Sequence, residues 1–343
     1  MAASAPRVAV IGVGLIGGSV ALAARARIEA HVVGWDPLEG AAAVACTQSA
    51  GSIAEAVADA ELVVIASPLD AIAGVIAEVV RYAPEHAVIT DVGSAKQAIV
   101  ASTDDVRFIG GHPLAGAEDS GVAHAREDLF AGATWYLTPT TGTEGVRLER
   151  LTRFITGIGA RPQAIEPEKH DRLTAAVSHL PHVLANLLVE GAMAEPASAG
   201  PSFRDATRVA GANPSLWSAI YVANSDALID EIDRIVARLG EVRGLVAAED
   251  RAGLADWQQQ AAASRARLDE ALTGEEIEEV RVTVPNRPGV LAELALKLGG
   301  AGINIHDLSL APSLDRSKGE VAVWVATGHV KKARRLMAEV VAG

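Results

Sequence analysis

An α/β fold is predicted here: a doubly wound parallel sheet, then an all-helical region, then a small α+β unit. Three observations carry that prediction. A β-branched strand runs straight into glycines at 12, 14 and 17. Strand-like and helix-like patterns alternate from Arg7 to about Pro167, which reads as parallel strands joined by crossover helices. Strand patterns then stop and return only near Glu279.

The first element, RVAVIGVGLIGGS, spans Arg7 to Ser19. After a buried strand, Gly12 permits a tight turn, Gly14 lets backbone approach a pyrophosphate, and Gly17 lets the next helix pack close to the sheet. Unpaired N–H groups at that helix's start face the phosphates. The next strand, HVVGW, ends on Asp36, roughly twenty residues past the glycines, where a carboxylate accepts both ribose hydroxyls and repels a 2′-phosphate. A Rossmann-type domain that prefers NAD to NADP is therefore expected.

ELVVIASP, HAVITDV, RFIGG, TWYLTP and RPQAI continue the sheet, closing a first domain at residues 1–167. From 168 to 273, Ala/Leu/Val segments with helical spacing follow one another, beginning with EKHDRLTAAVSHLPHVLANLLVEGAM. Much of their apolar surface lacks cover in a single chain, so packing between two subunits, a homodimer, is expected. After the acidic linker TGEEIEE, the strand EVRVTV, a helix from Arg287-Pro288-Gly289 to about Leu298, the strands INIHDLSL and EVAVWVAT, and the helix VKKARRLMAEVV make a β-α-β-β-α unit at 279–343.

A chain of 343 residues has room for two or three such domains. Half its residues are hydrophobic but only 3% aromatic, so the cores are aliphatic. Lys and Arg total 30 against 43 Asp and Glu, and the net charge of −13 disfavours nucleic acid and anionic membranes. An anionic substrate must then be held by local cations. The single cysteine, Cys46, excludes an internal disulfide and a cysteine zinc site; within AAAVACTQ it reads as an inert thiol. With neither a secretory leader pattern nor a run approaching the roughly twenty apolar residues of a membrane helix, a cytoplasmic location is expected.

Four patches carry reactive groups. Asp91-Val92-Gly93-Ser94-Ala95-Lys96 lies at the carboxyl end of a strand, the edge where open α/β sheets bind ligands; Ser94 caps the following helix, touches substrate, or both. In Gly110-Gly111-His112-Pro113, His112 is expected on a loop at the same edge, neutral and able to act as general base. The third patch is His170-Asp171 followed by Ser178-His179-Leu180-Pro181-His182. His179 and His182 share a helix face, yet neither cysteine nor an HExxH-type carboxylate set accompanies them, so no metal is expected. One is read as a hydrogen-bonded core histidine and the other as a substrate contact. In the fourth patch, Arg204 and Arg208 flank Asp205, so one arginine is expected to pair structurally and the other to face a carboxylate ligand.

The ordered set RVAVIGVGLIGGS, ASPL, DVGSAK, GGHPLAG, SHLPH, FRDATR and NPSLW resembles the prephenate/arogenate dehydrogenase family over nearly the whole chain. The tail VPNRPGVLAELALKLGGAGINIHDLSL resembles an ACT domain, although ACT domains usually close with a fourth strand and this sequence ends at Gly343 after the second helix. By that resemblance His112 is the catalytic histidine, with Ser94 its partner. His182, Ser178 and Trp217 contact substrate, Arg208 binds a carboxylate, and Glu118 is an acid that pairs with that arginine. Leu15, Ile16 and Ser67 join Gly12, Gly14, Gly17 and Asp36 around NAD. The implied reaction is oxidative decarboxylation of prephenate to 4-hydroxyphenylpyruvate in tyrosine biosynthesis, with L-tyrosine as the effector expected at the tail.

Three alternatives stand beside it. An arogenate dehydrogenase differs only in its substrate's amino group. A β-hydroxyacid dehydrogenase or imine reductase shares the Rossmann-plus-helical plan but usually depends on a lysine that is missing around Ser178–His182. A non-catalytic NAD sensor acting through the tail belongs to another class. The tail itself has a structural alternative, dimerisation through the open edge of EVRVTV.

Overall fold

The computed structural model describes residues 5–116, 120–192, 200–273, 276–287, 290–313 and 317–342. The chain packs as two compact units, 1–235 and 236–343.

The first unit is built on eight strands. They are β1 (Arg7–Ile11), β2 (His31–Trp35), β3 (Gln48–Ser49), β4 (Leu62–Ile65), β5 (Val88–Asp91), β6 (Phe108–Pro113), β7 (Thr134–Thr138) and β8 (Arg161–Ala164). Their order is β3-β2-β1-β4-β5-β6-β7-β8. Strands β4 and β5 are buried along their whole length, which is why they read as unbroken apolar runs. Successive side chains still part to opposite faces. Val8, Val10 and Val64 enter one core with Val20 and Ala24 of the helix Leu15–Ile28, whereas Ala9, Ile11 and Val63 enter another with Ile72 and Ile76 of the helix Ile72–Tyr82.

Two details depart from the expected sheet. A two-residue edge strand, β3, lies beyond β2, and β7 runs antiparallel to β6 while the other pairs are parallel. A parallel return needs a crossover of a dozen or more residues, usually helical. Between β6 and β7 the described residues contain only the short turn Val122–His124, and the chain comes back antiparallel.

The strand order reverses between β1 and β4, and the crevice beyond their carboxyl ends is where such sheets bind ligands. Helices close over this edge. Pro167–Thr174 continues through a π-helical turn, Ala175–His179, into Leu180–Ala192. Pro201–Thr207 and Pro214–Ala223 follow, the latter started by Pro214 and by the Asn213 side chain accepting from the Leu216 N–H at 3.1 Å. The helix Ser225–Ala247 spans the boundary between the units.

The second unit contains the helix Arg251–Thr273 and the expected β-α-β-β-α run. That run comprises β9 (Ile277–Pro285), the helix Val290–Gly300, β10 (Asp307–Pro312), β11 (Lys318–Ala326) and the helix Val330–Ala342. Its antiparallel sheet has the order β10-β11-β9, and Val280, Val284, Leu294, Val323 and Met337 fill its core.

Candidate active site

The glycine turn does what its spacing required. Gly12 has φ +91°, and a Cβ there would lie 2.6 Å from the Ala66 carbonyl oxygen; one at Gly17 would lie 1.9 Å from the Gly12 oxygen. Gly14 has no atom within 4 Å on its open side. Asp36, just past β2, accepts the Val13 N–H at 2.7 Å and the Leu38 N–H at 2.8 Å, so its carboxylate is tied to the glycine turn. A cleft of about 650 Å³ runs past Gly12, Gly14, Leu15, Ile16, Asp36 and Ser67 to Ser94 and His112. A bare glycine cradle with an acid beside it and two polar side chains further along fits a nicotinamide dinucleotide.

Ser94 lines this cleft and caps no helix. The first N–H groups of the short helix Gln97–Val100 go instead to Asp171, whose carboxylate accepts from the backbone of Lys96 at 2.7 Å and of Gln97 at 2.8 Å. Lys96 is wholly buried, its ammonium donating to Asp91 and, at 2.8 Å, to the Gly111 carbonyl. Burial lowers the Lys96 pKa while the Asp91 charge opposes the shift. Asp91 also accepts the N–H groups of Gly93 at 2.8 Å and Gly111 at 3.0 Å, joining the ends of β5 and β6.

His112 is on β6 itself, which corrects the loop placement: antiparallel pairing of His112 with Tyr136 of β7 carries the strand through Pro113. Its Nδ1 lies 2.8 Å from Nε2 of His170, whose Nδ1 lies 2.7 Å from Asp171 Oδ1. Burial, then the neighbouring His170 and Lys96, hold the His112 pKa well below its ordinary value. The ring is neutral at physiological pH and available as a base.

The helical residues form a second group. The π turn carries Ser178 and His179, a local widening that often accompanies functional sites. His179 is the buried histidine, its Nδ1 3.1 Å from the Asn224 amide, and burial pushes its pKa down to about 4. Asn224 also donates to the Asp171 carbonyl at 2.8 Å, linking this group to the first. His182, half-buried, stacks on Trp217 with ring centroids 3.4 Å apart. Burial lowers the His182 pKa, and the Arg208 charge adds to the shift. Arg208 and Arg204 are both exposed, and among the described residues neither pairs with Asp205. The expected structural pairing is thus absent, since the helix Pro201–Thr207 sends Arg204 to solvent. Of these helices, only Leu216 from Pro214–Ala223 reaches the cleft lining described above.

Glu118 lies outside the described residues. His170 and Asp171 stood out in the sequence as an adjacent pair without a role, and Asp91 and Lys96 as the two ends of a motif; nothing local marks Asn224. Cys46 is buried against Gly34, and burial raises its thiol pKa to about 11, so it stays protonated.

A glycine-turn cleft ending at a histidine and a serine fits an NAD-dependent dehydrogenase. Residues 20–164 match the family model for the prephenate dehydrogenase nucleotide-binding domain, residues 166–260 the prephenate dehydrogenase dimerization domain, and residues 279–342 the ACT domain. The prephenate dehydrogenase of Bacillus subtilis (strain 168) is 32% identical over 330 residues, covering 90% of this chain and 89% of that protein. The cyclohexadienyl dehydrogenase of Zymomonas mobilis is 33% identical over 71% of this chain and 89% of that protein. Among solved structures, prephenate dehydrogenase from A. aeolicus in complex with hydroxyphenyl propionate and NAD+ superposes with a TM-score of 0.72 at 28% identity, covering 78% of this chain and 100% of that one. Synechocystis arogenate dehydrogenase gives 0.69 at 26%, over 76% and 99%. The chain belongs to the prephenate dehydrogenase family. No helix among the described residues is long and apolar enough to cross a membrane.

Proposed function

We propose that this enzyme oxidises and decarboxylates prephenate, yielding 4-hydroxyphenylpyruvate, and that two copies of the chain form the working unit. The observation that carries the chemistry is the neutral His112, hydrogen-bonded to His170 at 2.8 Å and sharing the cleft with Ser94. Gly12, Gly14, Leu15, Ile16, Asp36 and Ser67 would hold NAD, which when bound supplies the hydride acceptor. Ser94 orders the ring hydroxyl, and an unprotonated nitrogen of His112 takes its proton as the carbon bearing it becomes a carbonyl. The ring carboxylate then leaves as carbon dioxide because the ring becomes aromatic. His112 returns its proton to the phenolate oxygen. Arg208 and His182, with Ser178 and Trp217 on the same group of helices, hold the substrate's carboxylate end, so their contribution is positioning.

Prephenate is preferred here over arogenate because the Bacillus subtilis relative, matched along almost its whole length, carries that name. Dimerisation is supported by Leu187, Leu188, Val222 and Ile229, large apolar side chains left exposed on the helices matched by the dimerization-domain model. Steady-state assays with prephenate and arogenate, each with NAD and NADP, test the reading. The highest kcat/KM is expected for prephenate with NAD. Turnover of arogenate alone would replace the substrate, and a preference for NADP would remove Asp36 from its role. Nucleotide binding without reduction on either substrate would leave the sensor reading.

A further inference from the structure

We propose that His170 and Asp171 are positioning residues, holding His112 with its ring proton on Nδ1 so that Nε2 is its basic atom. The inference rests on His112 being the base. Its origin is the direction of the hydrogen bonds around Asp171. Both carboxylate oxygens accept from backbone amides, Oδ1 from Lys96 at 2.7 Å and Oδ2 from Gln97 at 2.8 Å. An amide N–H can only donate, so Asp171 is held as an ionised acceptor, and His170 Nδ1, 2.7 Å from Oδ1, is the donor to it. With His170 neutral, as proposed, its one N–H goes to Asp171 and its Nε2 is the acceptor. Its partner at 2.8 Å, His112 Nδ1, must carry the proton, and Nε2 of His112 is left bare.

Packing holds the pair in this arrangement. His170 is fully buried and Asp171 is 3% exposed. The Tyr136 ring meets His170 edge-on at 5.6 Å, and Asn224 holds the Asp171 carbonyl at 2.8 Å. The ionisable groups around His112 are His170, His179 and Lys96, the last already paired with Asp91. Asp171 supplies the negative charge in the hydrogen-bonded chain. When Nε2 takes up a proton, the imidazolium keeps its Nδ1–H on His170, with the Asp171 carboxylate one ring further along. This is the orienting part a buried carboxylate plays behind a catalytic imidazole, reached here through a second histidine.

Nitrogen-15 NMR of the histidine-labelled, cofactor-free protein reads the tautomer directly. At neutral pH the wild-type spectrum is expected to show His112 protonated on Nδ1 and bare on Nε2. His170→Gln can accept from His112 with its amide oxygen and donate to Asp171 with its amide nitrogen. It should keep that tautomer and a kcat within about tenfold of wild type. His170→Phe removes the acceptor; it should lose the single tautomer and lower kcat by about a hundredfold or more, with NAD binding followed by fluorescence unchanged. A wild-type His112 protonated on Nε2 would overturn the proposal, as would His170→Phe with the wild-type tautomer and kcat. The wild-type spectrum decides the matter even where a variant does not fold. Full activity in His112→Asn is a different result, which removes His112 as base and leaves the tautomer measurement standing.

Discussion

The Lys96 ammonium and the Asp91 carboxylate are paired with neither side chain exposed to solvent, and the same ammonium holds the carbonyl of Gly111, the residue before His112. A buried pair adds little over apolar residues of the same shape, but removing one partner strands the other charge, typically at a cost of about 3–5 kcal/mol. Lys96→Met should therefore destabilise the protein by about that amount in urea unfolding. Adding Asp91→Leu should recover little, because the Gly93 and Gly111 N–H groups then lose their acceptor. A loss below about 1 kcal/mol for the single variant would show that the pair does not tie the two strands together.

His112→Asn should lower kcat by about two to four powers of ten while NAD binds as before, the range expected for loss of a general base. The wild-type pH profile carries a sign. Burial holds the His112 pKa below 6.5 and the neutral ring is the active form, so kcat/KM should be level through pH 7 and fall only as pH drops through that depressed value. An acid limb centred above 6.5 would contradict this environment for His112.

Arg208→Ala should raise KM for the substrate by a factor corresponding to about 1.5–3 kcal/mol, the worth of one charged hydrogen-bonding contact, with little change in kcat. The control is Arg204→Ala. Both side chains are exposed, but only the Arg208 charge acts on His182, so the Arg204 variant should behave as wild type within twofold or so in the same assay. Equal effects from the two arginines would leave Arg208 without a special role.

L-Tyrosine should bind the intact protein in calorimetry at a site in the second unit, near the connection from β9 to the helix Val290–Gly300. Arg287 in that connection donates to Glu293 at 2.7 Å, and Pro288 and Gly289 lie outside the described residues. Heat that persists when 4-hydroxyphenylpyruvate saturates the enzyme supports this location. Heat abolished by that product would place tyrosine in the active site and leave the tail a dimerisation element.

Features with short-range causes were legible in the residues. The β-branched run of β1 and the glycine positions after it each follow from backbone and side-chain preferences within a few residues. Ser94 and His112 were placed at the correct edge because a strand's carboxyl end can be read from the strand itself. The π turn through Ser178 and His179 left no such mark.

By itself, then, the sequence determined where strands and helices form and which turn faces a dinucleotide, because φ/ψ preference, side-chain period and glycine's missing Cβ are local quantities. Tertiary structure decided what those residues do to one another. Pairing with β7 put His112 on a strand, and Asp171, 75 residues beyond Lys96, took the helix start that Ser94 was free to cap. The contact of His112 with His170 crosses 58 residues. Which ring nitrogen bears a proton depends on the partner that packing brings within hydrogen-bond reach, and spacing along the chain carries no record of it.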